Sequence, residues 1–126
     1  MSSSLFGDVC QNIIDLDKTI RFAGITNMRR TMVSAKYRAG LVPLLTQEET
    51  IESVEHSVFG MSTSRLMETK LGKIIYSINL YEKVKRAVIP IGNDGSFILM
   101  VTFDNEADFD SIIRNKIMPL VSYHLM

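Results

Sequence analysis

The chain has 126 residues, of which 46% are hydrophobic and 22% are charged, and it contains one cysteine. This composition is typical of a single globular domain, 1–126, and excludes a disordered chain or a disulfide framework. Fourteen basic and fourteen acidic residues give zero net charge, which argues against a general polyanion binder. No signal peptide is recognisable, and no apolar run approaches the roughly 20 residues of a membrane helix. We therefore expect a cytoplasmic protein that does not contact membranes.

The first third of the chain predicts a helix followed by a β-hairpin. Apolar residues recur at helical spacing over 5–16, and Ser4 precedes them as the expected cap. Two β-rich stretches, 19–26 and 31–37, then flank the short polar link 27–30. The first stretch is apolar on both faces, which is typical of an inner strand, whereas the second alternates and predicts an edge strand.

The most specific local signal is a capping box at the start of the central helix. The hydroxyl of Thr46 can accept from the backbone N–H of Glu49, whose carboxylate can accept from the N–H of Thr46. The helical pattern continues to about residue 71 and is followed by Gly72. Its apolar residues cover more than one stripe, so we expect the helix to contact more than one surface. The main stripe is Ile51, Val54, Val58 and Met61, and Phe59, Leu66 and Met67 lie beside it.

The second half predicts three strands in succession, over 73–81, 83–91 and 96–103. The last of them is apolar on both faces and is expected inside the sheet. The turn 93–95 between the last two strands is glycine-containing, but it links two strands and opens no helix. We therefore interpret it as a hairpin turn and not as a phosphate-binding loop.

A final helix is predicted over 106–118, with Asp104 or Asn105 as its N-cap and Pro119 as its end. The element order is then helix, two strands, helix, three strands, helix. This order predicts an α+β domain with an antiparallel five-stranded sheet.

No residue pattern predicts catalysis, a cofactor or a metal site, so we do not expect an enzyme. The residue types that bind metals best, Cys10, His56 and His124, are scattered along the chain without ligand spacing. Cys10 lies on the apolar face of the first helix, where burial makes a thiol unreactive. The acidic clusters lie in the first turns of predicted helices, where they complement the helix dipole.

The charge distribution is most uneven between residues 18 and 47, which contain six cations and no acid. We predict Arg29 and Arg30, at the hairpin turn, as partner-binding residues for an acidic protein surface. Neutralisation by the glutamates of the central helix, or simple solvation, is the alternative. The six cations are Lys18, Arg21, Arg29, Arg30, Lys36 and Arg38.

The strand predicted over 73–81 has an uncharged middle. From Ile74 to Leu80 it contains no charge and no proline, which are the devices that normally block pairing at a sheet edge. We therefore predict a homodimer that pairs through this strand, with Tyr76, Ile78 and Leu80 in the interface. The alternative is a monomer whose edge is covered by its own chain.

The element order, over essentially the whole chain, resembles the roadblock/dynein-light-chain-like group of profilin-like and longin-like domains. The resemblance implies the sheet order 2-1-5-4-3, with the long helix on one face and the two terminal helices on the other. It also implies third strands that pair across a two-fold axis with the central helices side by side, and a non-catalytic interaction domain for small GTPases or their scaffolds. Locally, 20–27 and 82–85 are similar to an uncharacterised family of small archaeal proteins, which commonly has Gly where this chain has Arg30.

Two other classes of function stay open. One is a small-molecule sensor, because similar sheet-and-helix domains enclose ligands, although no set of polar residues in the sequence points to a pocket. The other is a nucleic-acid-binding protein that uses the basic hairpin 18–38. The scarcity of exposed aromatic residues for base stacking makes nucleic acid a weaker expectation than a protein partner.

Overall fold

The structure is a computed structural model that describes residues 3–92 and 94–125. The side chain of Ser4, the expected cap, and the turn residue Asn93 lie outside the described part. The strands are β1 (Ile20–Asn27), β2 (Met32–Tyr37), β3 (Ser77–Leu80), β4 (Val84–Ile91) and β5 (Phe97–Asp104). The helices are α1 (Ser3–Leu16), α2 (Gln47–Arg65), α3 (Glu68–Leu71), α4 (Phe109–Ile112), a π-helical turn (Ile113–Ile117) and α5 (Met118–Leu125).

The five strands form one antiparallel sheet in the order β2-β1-β5-β4-β3. The predicted α+β fold and strand order are therefore confirmed. β1 and β5, the two strands that are apolar on both faces, pair with each other inside the sheet. β2 lies at one edge, as its alternating pattern predicted, and β3 lies at the other, as the resemblance implied.

Helices cover the two faces of the sheet as the resemblance implied. The largest core cluster lies under α1 and the C-terminal helical segments, and it is filled by branched aliphatic and aromatic side chains of β1, β4 and β5. The opposite face is covered by α2, whose buried stripe packs on side chains of β1 and β5. These contacts join Val54, Val58 and Met61 to Phe22, Ile98 and Met100.

The capping box at the start of α2 is confirmed. The N–H of Glu49 donates to Thr46 Oγ1 at 3.1 Å, and the N–H of Thr46 donates to Glu49 Oε1 at 2.9 Å. The helix is interrupted after Arg65, however, by a turn at Leu66 and Met67. The short helix α3 then ends at Leu71, and Gly72 follows it with a positive φ of 87°, so the predicted end of the helical region is confirmed but its continuity is not.

The prediction for the last helix is wrong in two respects. The helix begins at Phe109, after Asp108, so neither Asp104 nor Asn105 caps it. It also continues past Pro119 to Leu125. A proline ring normally clashes with the preceding turn of an α-helix, and the wider π-helical turn before Pro119 relieves this clash. Leu125 is buried, so packing on the core stabilises the extra turns.

Candidate interaction surfaces

β3 is a short edge strand that pairs with β4 on one side only. It has four residues, fewer than the nine predicted, because the preceding backbone bonds elsewhere. The N–H of Ile74 donates to Glu68 Oε2 at 2.8 Å, which ties this segment to α3 instead of to the sheet. Within the described residues, no other element pairs with the outer side of β3.

The direction of the hydrogen bonds in β3 follows from the turn that joins it to β4. The N–H of Tyr81 donates to the carbonyl of Val84 at 2.9 Å, so these two residues form a hydrogen-bonded pair. Bonded and non-bonded pairs alternate along an antiparallel ladder, which makes Asn79 and Arg86 the next bonded pair. The backbone N–H and C=O of Leu80, and likewise those of Ile78, therefore point outward at the free edge.

The three residues predicted for the dimer interface occupy different environments. Leu80 is 64% exposed, whereas Ile78 is half-buried against the large core cluster. Tyr76 lies before the strand, and its hydroxyl donates to the carboxylate of Asp110 in the C-terminal helix. Ile74, at the start of the uncharged stretch, packs on the α2 side of the sheet, opposite to Tyr76 and Ile78.

A small polar cluster holds the start of β3 against the C-terminal helix. Asp110 Oδ1 accepts from Arg114 Nε at 2.9 Å in addition to the Tyr76 hydroxyl. Partial burial raises the pKa of Tyr76, and the hydrogen bond to Asp110 raises it further. The tyrosine is therefore a neutral donor at physiological pH.

A groove of about 510 Å³ lies beside the free edge, between α2 and the outer strands. Its sheet wall includes Asn79 and Tyr81 of the β3 end and Arg86 of β4, whose guanidinium donates to Ser53 of α2. The α2 wall includes small residues at helical spacing, which are not part of an apolar stripe and were not predicted from the sequence. The small residues are Ser53, Ser57, Gly60 and Ser64, and the larger Glu49, Glu52, His56 and Met61 line the same wall.

The outward side of α2 exposes large apolar residues. Phe59 is 68% exposed and Leu66 is 75% exposed, so the flanking strip expected from the sequence lies mostly open to solvent in the described protomer. Ile51, expected in the buried stripe, is also exposed. It lies before Val54, in the first turns of α2, where the helix has not yet reached the cluster over the sheet.

The hairpin turn presents Arg29 and Arg30 to solvent. Asn27 shapes this turn, because its side-chain oxygen accepts from the N–H of Arg29 at 2.9 Å and of Thr31 at 3.0 Å. Arg30 has a positive φ of 69°, in the region that glycine adopts most readily. Met28 at the same turn packs on the cluster beneath the second half of α2, so the basic turn lies beside this part of the helix.

Two of the six cations of the basic segment are neutralised within the fold. Arg21 and Arg38 bind the two carboxylate oxygens of Asp104, at 3.0 and 2.8 Å. Burial alone would raise the pKa of Asp104, but the hydrogen bonds and charges of the two arginines outweigh it and hold this pKa below its usual value. The glutamates of α2, expected as the alternative counter-charges, make none of the described ion pairs.

The opposite edge strand, β2, differs from β3 in ways that matter for pairing. The register of β2 shifts at Ile25/Thr26 of β1, and Lys36 is exposed on the strand. Both a register irregularity and an edge lysine discourage strand addition. β3 carries neither device, so the two edges of this sheet are not equivalent.

The described residues contain no group of three His, Cys, Asp or Glu side chains placed to hold a metal ion. Cys10 is buried, and burial raises the pKa of its thiol. None of the helices in the described ranges has both the length and the apolar character needed to cross a bilayer.

This architecture is that of the roadblock/LC7 domains. The chain is similar to a Roadblock/LC7 domain from Streptomyces avermitilis, at 12% identity and a TM-score of 0.73, over 93% of this chain and 92% of the other. It is similar to MglB of Myxococcus xanthus at 12% identity and a TM-score of 0.74, over 96% and 85%. An MglB structure with a tetrameric arrangement matches at 13% identity and a TM-score of 0.63, over 94% and 88%. No protein-family model matches the chain, and no curated protein matches it significantly, so the archaeal similarity stays a prediction.

Proposed function

We propose that this protein is a non-catalytic, cytoplasmic interaction domain that forms a homodimer through β3 and binds a partner protein of the small-GTPase class. The free β3 edge is the observation that carries the proposal. It presents the outward backbone groups of Ile78 and Leu80 without a charge, a proline or a bulge. The MglB structure with a tetrameric arrangement supports self-association of this fold.

The groove beside the edge fits this assembly. When two β3 strands pair across a two-fold axis, the two α2 helices come to lie on the same side of the continuous sheet. The small side chains of Ser53, Ser57, Gly60 and Ser64 leave room beside α2 for a second helix, and Glu52 and His56 supply polar groups at the same wall. The resemblance to roadblock domains implies the same side-by-side arrangement.

Replacement of a single outward N–H tests the dimer. Leu80→Pro removes the donor that faces the free edge and leaves the bonded pair of Asn79 and Arg86 in place. Leu80→Ala is the matched control, because it shortens the side chain but keeps the N–H. We expect the wild type and Leu80→Ala to sediment as dimers and Leu80→Pro to sediment as a folded monomer. A monomeric wild type, or a dimeric Leu80→Pro, would contradict the proposed seam.

The partner surface that we propose combines the exposed apolar side of α2 with the basic turn. Phe59 and Leu66 supply large apolar contacts, and Arg29 and Arg30 supply positive charge at the adjacent hairpin. Such a combination fits a protein surface with both acidic and apolar residues better than it fits nucleic acid. Pairing of Arg21 and Arg38 with Asp104 reduces the charge available for phosphate contacts.

Titration with the small GTPases of the source organism, loaded with GDP or with a GTP analogue, tests this surface. We expect the double variant Arg29→Glu/Arg30→Glu to weaken the binding of one of them. Lys36→Glu is the control, because Lys36 is exposed on β2, outside the turn. Equal affinities for the wild type and the turn variant would exclude Arg29 and Arg30 from the partner surface.

The single cysteine supports the cytoplasmic location that we propose. Cys10 is buried and unpaired, so the described fold uses no disulfide and is suited to a reducing compartment.

A further inference from the structure

Two exposed apolar patches lie at opposite ends of the β3 edge. The loop patch belongs to the connection between β2 and α2, where Val42 is 80% exposed. The turn patch belongs to the segment from the end of α2 to the start of β3, where Leu71 is 81% exposed. Both patches stay largely exposed in the described protomer, from 40% at Leu45 to 81% at Leu71. The loop patch is Val42, Leu44 and Leu45, and the turn patch is Met67, Leu71 and Ile75.

The two patches lie next to different ends of β3. Leu45 lines the groove together with Tyr81, which follows the last residue of β3. Leu44 lies with Tyr81 in a second cavity that extends to Phe22 and Tyr37, so the loop patch crosses this end of the sheet from β2 to the end of β3. The turn patch precedes the first residue of the strand, and Ile74 within this segment packs on the cluster under α2. The protomer therefore has one apolar patch at each end of its free edge.

A two-fold axis at the edge reverses the strand direction of the second copy. Antiparallel pairing places the start of one β3 beside the end of the other. We infer that the loop patch of each protomer packs against the turn patch of a second copy of this chain. The symmetry makes this contact twice in each dimer, and the inference rests on the homodimer proposed above.

The small size of β3 supports a contact beyond the strand. Four residues at about 3.3 Å each span only about 13 Å, so the paired strands alone bury little surface. Stable interfaces bury roughly 1,200–2,000 Å² in total. The two copies of the loop and turn patches supply apolar area that continues the seam at both ends, and they would otherwise remain exposed to water.

Charge substitutions in the two patches test the contact. Leu44→Glu and Leu71→Lys each place an unpaired charge in an apolar interface, so each should raise the dimer dissociation constant roughly tenfold or more. The double variant Leu44→Glu/Leu71→Lys should bind more tightly than either single variant, because the new charges face each other across the interface. Both side chains are exposed in the protomer, so thermal unfolding of each variant in the monomeric Leu80→Pro background should match that background.

A mixture of the two single variants gives a second readout. In the mixed dimer, one loop–turn contact joins the opposite charges and the other remains apolar, so we expect heterodimers to form in preference to either homodimer. Dissociation constants of Leu44→Glu or Leu71→Lys equal to that of the wild type would overturn the inference and leave the β3 seam intact. A monomeric wild type would instead refute the proposed function itself.

Discussion

Asp104 Oδ2 accepts a hydrogen bond from Arg38 Nη1 at 2.8 Å, which ties the end of β5 to the residue after β2 across the intervening strand β1. Arg21 of β1 binds the other carboxylate oxygen at 3.0 Å. One carboxylate therefore joins three strands at the end of the sheet opposite the basic turn. Its side chain is 20% exposed, so the two ion pairs are only partly solvated.

Asp104→Asn should destabilise the fold by roughly 1–3 kcal/mol at neutral pH, because it leaves two partly buried guanidinium groups without a counter-charge. Urea unfolding measures the effect. Asp8→Asn is the control, since Asp8 is exposed on α1 and makes none of the described ion pairs, so its loss should cost about 0.5 kcal/mol or less. Equal losses in the two variants would show that Asp104 is no more important than a surface carboxylate.

The same carboxylate predicts part of the acid sensitivity of the protein. Its folded pKa lies below its value in the unfolded chain, which is about 3.9. Its stabilisation is therefore present above that value and is lost as the pH falls through the folded pKa. When the pH is lowered from 7 through this range, Asp104→Asn should therefore lose less stability than the wild type. Unfolding curves measured from pH 7 to pH 2 test this, and parallel losses for the two proteins would contradict it.

Asp104 also shows what sequence could predict and what it could not. Its position before a helix made it a plausible cap, because capping is a local pattern, and the local pattern at Thr46 was indeed confirmed. The ion pairs of Asp104 join it to Arg38, which is 66 positions earlier in the chain, and to Arg21, which is 83 positions earlier. Only the sheet topology brings these residues together. Likewise, the strand order followed from apolar patterns, whereas the short length of β3 depends on a bond between Glu68 and Ile74 that no spacing reveals.

The interaction surfaces show the same division. The absence of charge from Ile74 to Leu80 is legible in the sequence, and the structure places the end of this stretch at a free edge. The face of each side chain was less predictable, because the segment before Ser77 leaves the sheet and alternation fails there. The loop patch escaped notice because a short apolar run in a connection has no periodicity to interpret.

Gly24→Ala should destabilise the protein by about 1–3 kcal/mol, because an added Cβ would lie 2.7 Å from Phe22 Cζ and 3.3 Å from Met32 Sδ. Gly60→Ala is the contrasting substitution, since a Cβ in this helix interior meets no atom within 4 Å. It should stabilise α2 by about 0.5–1 kcal/mol. Both are best measured in the monomeric Leu80→Pro background, because Gly60 lines the groove beside the seam. Stabilisation by Gly24→Ala would contradict this prediction, because it would mean that the Phe22 ring moves away from the added methyl group without cost.

Arg30→Gly should stabilise the hairpin by about 1 kcal/mol, because the φ of 69° at this position is strained for a residue with a side chain. The same substitution should weaken partner binding if Arg30 contacts the partner as we propose. Arg29→Gly is the matched control, since it removes the same charge at a residue without a positive φ. Thermal unfolding compares the stabilities of the two variants. If Arg30→Gly is no more stable than Arg29→Gly, the backbone at Arg30 is not strained.

Cysteine substitutions along β3 should report the register of the seam. If Ile78 pairs with Leu80 of a second copy of this chain, both outward-facing residues of the strand are used. This pairing places the two-fold axis at Asn79. Asn79→Cys should then form a disulfide-linked dimer under mild oxidation, because residues opposite each other in a non-hydrogen-bonded pair have Cα atoms about 4.5 Å apart.

Neither Ile78→Cys nor Leu80→Cys should cross-link alone, but a mixture of the two should give a linked heterodimer. The only native cysteine, Cys10, is buried and keeps the background low. Non-reducing electrophoresis distinguishes the outcomes. A disulfide between two Leu80→Cys subunits would contradict this register, because it would place the two-fold axis at the end of the strand. The loop patch would then lie away from the turn patch of the second copy. The register therefore links the strand seam to the apolar contacts inferred beyond it.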